Sequence, residues 1–146
     1  RKIEDRPGGA ANVCLDLSAM RGRVIACGVV GDDDAGRRLR AGLQASGGAT
    51  GADVGSVSCA GLVTDASRPT TLKRNLIGLA QHRHPQKMFR EDHESREPLS
   101  RDVEDQLLAR VEASLPACDV VCLEDYNKGV LKGGLGPRVI AAARRA

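Results

Sequence analysis

The chain has 146 residues, 41% of them hydrophobic, which suits one domain with a core of its own. With one Phe, one Tyr and no Trp, that core must be aliphatic. The net charge of +3 is too mild to indicate nucleic-acid binding, and no apolar run approaches the roughly 20 residues of a membrane span.

In the first half of the chain, the pattern predicts alternating helices and strands. Apolar residues at helical spacing predict a helix over 9–21, and the β-branched run 23–31 predicts a buried strand. Residues 32–48 predict a helix, because Asp residues begin it and Gly47 and Gly48 end it. A short strand is expected at 53–58.

The second half predicts a charged β insert followed by a helix, a strand and a helix. Residues 70–80 and 86–92 favour partly exposed strands. Ser100 is a good N-cap for a helix with an apolar stripe from Val103 to Leu115. A second buried strand is predicted at 119–125, and apolar spacing predicts a last helix from Leu135 to Ala143. The order predicts an α/β protein with a parallel sheet and helices on both of its faces.

Five cysteines, an odd number without a C-x-x-C pair, are expected to be reduced, mostly buried thiols in a cytoplasmic protein. His82 and His84 would share one face of a strand, but two histidines without a third ligand do not support a metal site.

Two stretches have the chemistry of ligand sites, although each also has a purely structural explanation. Gly8 and Gly9 would let a ligand lie against the backbone at a helix start, and Asn12 can bond a sugar hydroxyl; a turn entering a helix would look the same. Asp125 and Lys128 follow a predicted strand, where open α/β sheets bind ligands, and a surface turn is the alternative.

Basic residues are concentrated in one segment. Residues 68–98 contain seven basic and four acidic side chains, a balance that equals the whole net charge of +3. An anionic small molecule would explain this excess, and so would a solvated loop.

Four stretches, taken together, resemble the ribokinase-like (PfkB) carbohydrate kinases. They are "GGAAN" (8–12), "GDDDAG" (31–36), "RPTTLK" (68–73) and "EDYNKGVL" (124–131), which occur in the family's order. The DYxKG motif and the PTxxK-type segment resemble the D-glycero-β-D-manno-heptose-7-phosphate kinases, the kinase half of bifunctional ADP-heptose synthases. The resemblance spans 6–146, and one departure is Arg21, where the family tends to have Gly.

The resemblance implies a ribokinase-like fold with a small β lid at about 66–97, a homodimer formed through that lid, and ATP with Mg²⁺ as the phosphoryl donor. The substrate-binding residues that it implies are Gly8, Gly9, Asn12, Asp33, Thr70, Lys73 and Arg90. It also implies that Asp125 and Lys128 face the nucleotide phosphates and Mg²⁺.

The same resemblance implies that 1–146 is part of a kinase domain. The family's first strand and substrate Asp would precede Arg1, and its Gly-Ala-Gly-Asp motif, with the catalytic base, would follow Ala146. No catalytic base is therefore expected in this chain, which would be inactive alone. Two alternatives stay open: another PfkB sugar or nucleoside kinase with a neutral substrate, or a non-catalytic module for sugar binding or dimerisation.

Overall fold

A computed structural model of the chain describes residues 3–45, 55–79 and 84–146. The four helices of these ranges are α1 (Ala10–Ala19), α2 (Asp34–Ala45), α3 (Arg101–Ser114) and α4 (Leu135–Ala143). The four strands are β1 (Val24–Val30), β2 (Val57–Thr64), β3 (Leu72–Gly78) and β4 (Gln86–His93). Short 3₁₀ turns lie at Leu115–Ala117 and Lys132–Gly134.

Strands β1 and β2 pair in parallel and form the centre of a three-layer body. On one face, Leu43 of α2 packs with Val57 and Leu62 of β2, and residues of α1 lie against this cluster. On the other face, Val63 of β2 packs with apolar residues of α3 and α4. The prediction of an α/β protein with parallel strands and helices on both faces is confirmed for this pair.

A β-bulge in β2 sets which of its later side chains face each of the two cores. The pairing advances from Ile25↔Ser58 to Cys27↔Gly61, so β2 has one more residue than β1 in this interval. Because side chains alternate along a strand, one extra residue moves the following side chains to the opposite face. Arg110 of α3 donates to the carbonyl of Ala60 at 2.7 Å, so this carbonyl of the bulge has a hydrogen-bond partner.

Strands β3 and β4, both predicted from the sequence, pair antiparallel and are here called the lid hairpin (72–78 and 86–93). Lys73 pairs with Asp92 and Asn75 with Arg90, and directly opposed residues share a face. Lys73 and Arg90 therefore lie on the same face of the lid hairpin, while Leu76 and its partner lie on the other.

The ends of two helices follow from local chemistry. The hydroxyl of Ser100 accepts from the backbone N–H of Val103 at 3.4 Å, which confirms the predicted N-cap of α3. After α1, the backbone N–H of Arg21 donates to the Ser18 carbonyl and that of Gly22 donates to the Leu17 carbonyl. Arg21 is in the left-handed conformation, with φ +70°. This is a Schellman motif with an arginine at the position that usually holds glycine.

The predicted buried strand at 119–125 is wrong. These residues are in no strand and all are exposed; Val120 keeps 81% of its surface accessible. The physical reason is the lack of a partner strand. In the described part of the chain no strand pairs with these residues, and an apolar run needs hydrogen bonds to a neighbouring strand to form a β-strand.

Smaller corrections concern strand placement and the cysteines. Of the strand expected at 53–58, residues 53 and 54 lie outside the described residues, 55 and 56 are not in a strand, and β2 runs from Val57 to Thr64. Cys59 is buried, but Cys27, Cys118 and Cys122 are exposed, the last two because they flank or belong to the unpaired segment. The helix stop at Gly47 and Gly48 lies outside the described residues. Among the helices of the three described ranges, none is long and apolar enough to cross a bilayer.

Candidate functional site

The start of α1 lies against the loop that follows the unpaired segment. Gly9 has φ +54°, and a Cβ added there would meet the ring of Tyr126 at 3.4 Å, whereas a Cβ on Gly8 would meet nothing within 4 Å. Asn12 is exposed and its amide donates to Asp16 at 3.0 Å, one turn further along α1. The predicted ligand positions Gly8, Gly9 and Asn12 thus line an accessible helix start with an aromatic ring beside it.

Residues 125–129, here called the DYNKG loop, form a tight turn. The carboxylate of Asp125 accepts from the backbone N–H of Asn127 at 2.7 Å, and Asn127 and Gly129 have φ values of +53° and +81°. A Cβ on Gly129 would overlap the carbonyl group of Glu97. The loop therefore depends on a glycine here, both for its backbone conformation and for its contact with the end of the lid.

Residues 94–97, here called the lid exit, are fixed to the DYNKG loop by hydrogen bonds from basic side chains. Arg68 donates to the carbonyl of Lys128 at 2.8 Å and to those of Ser95 and Glu97 at 3.4 Å. Lys132 donates to the carbonyl of Arg96 at 3.0 Å. Both ends of the lid hairpin are in this way held against the loop that carries Lys128.

The carboxylate of Glu94 is the centre of this arrangement. Its Oε2 lies 2.6 Å from Nζ of Lys128 and 3.4 Å from Nζ of Lys73, and its Oε1 lies 3.1 Å from Nη2 of Arg96. The hydrogen bond from Lys128, followed by those from Arg96 and Lys73, lowers the pKa of Glu94 to about 2. Glu94 is therefore ionised at neutral pH and bound to three cations.

A second carboxylate continues the pattern on the lid hairpin. Asp92 lies 2.8 Å from Nζ of Lys73 and 2.7 Å from Nε of Arg90. The hydrogen bond to Asp92 raises the pKa of Lys73, and the contact with Glu94 adds to it. The structure thus brings the predicted phosphate-binding residues Lys73 and Arg90 together through Asp92.

Asp33 and Thr70 form a separate unit under the start of the lid. Asp33 accepts from the backbone N–H of Gly36 at 2.7 Å, at the start of α2, and from that of Thr70 at 2.8 Å. The Thr70 hydroxyl accepts from Gly31 at 2.8 Å. Burial alone would raise the pKa of Asp33, but the hydrogen bonds from Thr70 and Gly36, together with the charge of Arg37, lower it below its ordinary value. Both residues connect β1 and α2 to the lid, and their predicted role in substrate binding stays a prediction.

Two residues of this site, Glu94 and Tyr126, were not predicted from the sequence, and neither were the hydrogen bonds that Arg68 makes. A signal existed for Glu94, because 90, 92 and 94 alternate along an extended segment and alternate residues share a face. No pattern indicates the hydrogen bonds of Arg68, which join residues up to 60 positions apart.

Metal ligands do not converge in the described part of the chain: no group of three His, Cys, Asp or Glu side chains there is placed to hold an ion. His84 is exposed, and His82 lies outside the described residues. Asp125, an exposed carboxylate, is of the chemical type that Mg²⁺ prefers, and it would supply one ligand.

Comparison with known proteins finds relatives across nearly the whole chain. It is 36% identical over 137 residues to a protein of Wolinella succinogenes named Bifunctional protein HldE, covering 94% of this chain and 26% of that protein. Proteins of the same name from Rhodopseudomonas palustris and Helicobacter pylori are 40% and 37% identical over 145 residues. The chain spans about 27% of the length of these relatives. No family model matches the sequence.

Proposed function

We propose that this chain is the carbohydrate-binding part of an ATP-dependent kinase that phosphorylates a sugar phosphate. The substrate we propose is D-glycero-β-D-manno-heptose 7-phosphate, phosphorylated at its anomeric hydroxyl for ADP-heptose and lipopolysaccharide core synthesis in the cytoplasm. The similarity to proteins named Bifunctional protein HldE supports an enzyme of this heptose pathway.

The observation that carries the proposal is the meeting of three predicted motifs at one place. The ring of Tyr126 lies beside Gly9, and Lys128 of the same loop shares a carboxylate with Lys73 of the lid. A sugar at the start of α1 would therefore have basic side chains of the lid and of the DYNKG loop nearby. This supports a ligand that has both hydroxyl groups and a phosphate.

Phosphoryl transfer depends mainly on positioning and on neutralising charge. In this proposal Gly8, Gly9 and Asn12 hold the sugar, and Lys73 and Arg90 bind its phosphate. ATP with Mg²⁺ supplies the phosphoryl group when bound, and the family resemblance makes Asp125 the candidate to contact the ion. The base that accepts the hydroxyl proton is not among these residues, so we expect the chain alone to transfer no phosphate.

Calorimetry with heptose 7-phosphate and with unphosphorylated heptose tests the proposal directly. We expect the 146-residue chain to bind the phosphorylated sugar at least about tenfold more tightly, because charge-assisted hydrogen bonds are the stronger ones. Replacing Lys73 and Arg90 together by Ala should remove this preference. Lys87→Ala, which removes one charge from an exposed position of the same hairpin, should not.

Equal affinity for the two sugars would contradict the proposal and favour another PfkB kinase, one with a neutral substrate. Phosphate transfer by the isolated chain, assayed with ATP and heptose 7-phosphate, would refute the expectation that the base lies elsewhere.

The lid hairpin supports a second proposal, that the chain also self-associates. Leu76 and Phe89 are paired on the face opposite Lys73, and they keep 39% and 57% of their surface exposed. An uncovered apolar pair on a projecting hairpin is suited to a second copy of the lid. Phe89→Ser should lower the mass measured by light scattering, and an unchanged mass would reject a dimer through this face.

A further inference from the structure

Charged side chains of alternating sign run from the lid hairpin to the DYNKG loop. In order they are Arg90, Asp92, Lys73, Glu94 and Lys128, each in contact with the next. Arg96 binds Glu94 from the side. Four cations and two carboxylates leave an excess of two positive charges in this cluster.

Glu94 holds the two lysines close to each other. Both ammonium nitrogens contact the same oxygen, Oε2, so they can be no more than about 6 Å apart, the sum of the two distances. An ammonium group has three N–H donors, so Lys128 and Lys73 keep donors for a ligand after bonding to carboxylates. Two lysines held at this spacing can contact different oxygens of one phosphate group.

We propose that Glu94 is a positioning residue, which stays bound to Lys73 and Lys128 when substrate enters and directs both lysines to the phosphate of the sugar. This inference rests on the proposed function. It assigns Lys128 to the sugar phosphate instead of to the nucleotide phosphates that the family resemblance implies.

The surroundings of Glu94 favour a fixed carboxylate over one that leaves when an anion arrives. Its side chain is 14% exposed and that of Lys128 is 21% exposed, whereas Lys73 and Arg90 are about half exposed. The lid exit is also held by the hydrogen bonds of Arg68 to the carbonyls of Ser95 and Glu97. With Glu94 in place, the excess of two positive charges matches the −1.5 to −2 charge of a phosphate monoester.

The test compares Glu94→Gln with the unmodified chain for heptose 7-phosphate and for unphosphorylated heptose, by calorimetry or NMR titration. We expect the dissociation constant of the sugar phosphate to rise about tenfold and that of the neutral sugar to stay within about twofold. The direction is decisive, because Glu94→Gln makes the cluster more positive and a simple charge effect would tighten phosphate binding. Glu97→Gln, the same change at an exposed residue three positions away, should leave both constants within about twofold.

Lys128→Met keeps the inference testable if Glu94→Gln disturbs the fold. It should weaken binding of the sugar phosphate but not of heptose. Adding Glu94→Gln to it should cost less than Glu94→Gln costs alone, because Glu94 then has only Lys73 left to position. Tighter or unchanged phosphate binding in Glu94→Gln, equal losses for both sugars, or no effect of Lys128→Met would overturn the positioning role. If the unmodified chain itself shows no preference for the phosphorylated sugar, the proposed function fails instead.

Discussion

The two β-ladders of this chain have the same size but are stabilised in different ways. Each pairs a strand of 7 residues with one of 8. The ladder β1–β2 is covered by helices on both faces, and Val30 and Val63 are buried. In the lid hairpin every residue of β4 is exposed, and ion pairs such as Arg74–Glu91 cross the strands. The two ladders therefore do not differ in length; they differ in what packs on their faces.

This difference implies different roles. Burial of apolar surface makes the body rigid, because close-packed side chains have few alternative arrangements. Exposed ion pairs contribute little each, so the lid hairpin depends on its attachments at Thr70, Arg68 and the lid exit. In the proposed function, a weak interior and firm ends let the lid hairpin adapt to a substrate while it stays attached to the DYNKG loop.

The largest expected effect comes from opening a cavity in the body. Leu135→Ala should lower the free energy of unfolding by about 3 kcal/mol, because Leu135 is 1% exposed within the core cluster on α3 and α4. Leu76→Ala in the lid hairpin should cost less than about 1 kcal/mol, since its side chain is already partly in water. Urea unfolding of the two variants measures both, and similar losses would refute the contrast between the ladders.

The second-largest effect is expected at the junction between the lid exit and the DYNKG loop. Gly129→Ala should lower the free energy of unfolding by roughly 2 kcal/mol, because its φ of +81° and the overlap with the Glu97 carbonyl both oppose a side chain. Gly42→Ala is the matched control: it lies in α2 with open space around it and should gain about 0.5 kcal/mol. Equal effects of the two substitutions in urea unfolding would mean that the junction tolerates a Cβ.

A smaller and opposite effect is expected at the end of α1. Arg21→Gly should raise the free energy of unfolding by about 1 kcal/mol. Glycine adopts the left-handed conformation of this Schellman motif without the backbone strain that Arg21 has at φ +70°. The melting temperature should rise by about 3 °C for a chain of this size. A lower melting temperature would show that the Arg21 side chain contributes more than its backbone costs.

The smallest expected effect concerns the ionisation of one side chain, Glu94, and depends on pH. The pKa of Glu94 is about 2 in the folded chain against an ordinary value of 4.5, so its stabilisation is complete above about pH 4.5 and is lost as the pH falls through about 2. Carboxyl NMR titration should show this lowered pKa. Lys128→Met should move the pKa of Glu94 back towards 4.5, because it removes the hydrogen bond that lowers this pKa most. Titration of Glu94 near 4.5 in the unmodified chain would contradict the ion cluster.

Features that depend on neighbours in sequence were predicted well. The four helices, the N-cap at Ser100, strand β1 and both strands of the lid hairpin follow from local spacing and capping residues. These features need no knowledge of distant residues.

Only the tertiary structure decided the rest. Residues 119–125 have the composition of a strand, but a strand exists only with a partner, and the described chain provides none. The bulge in β2 could not be predicted from the sequence either, because it depends on the pairing with β1. The contact of Lys73 and Lys128 with one carboxylate joins segments far apart in sequence, and composition and spacing do not specify such pairs. The sequence by itself determined which residues carry charge and in what local conformation; the packing of the lid exit on the DYNKG loop decided which charges meet.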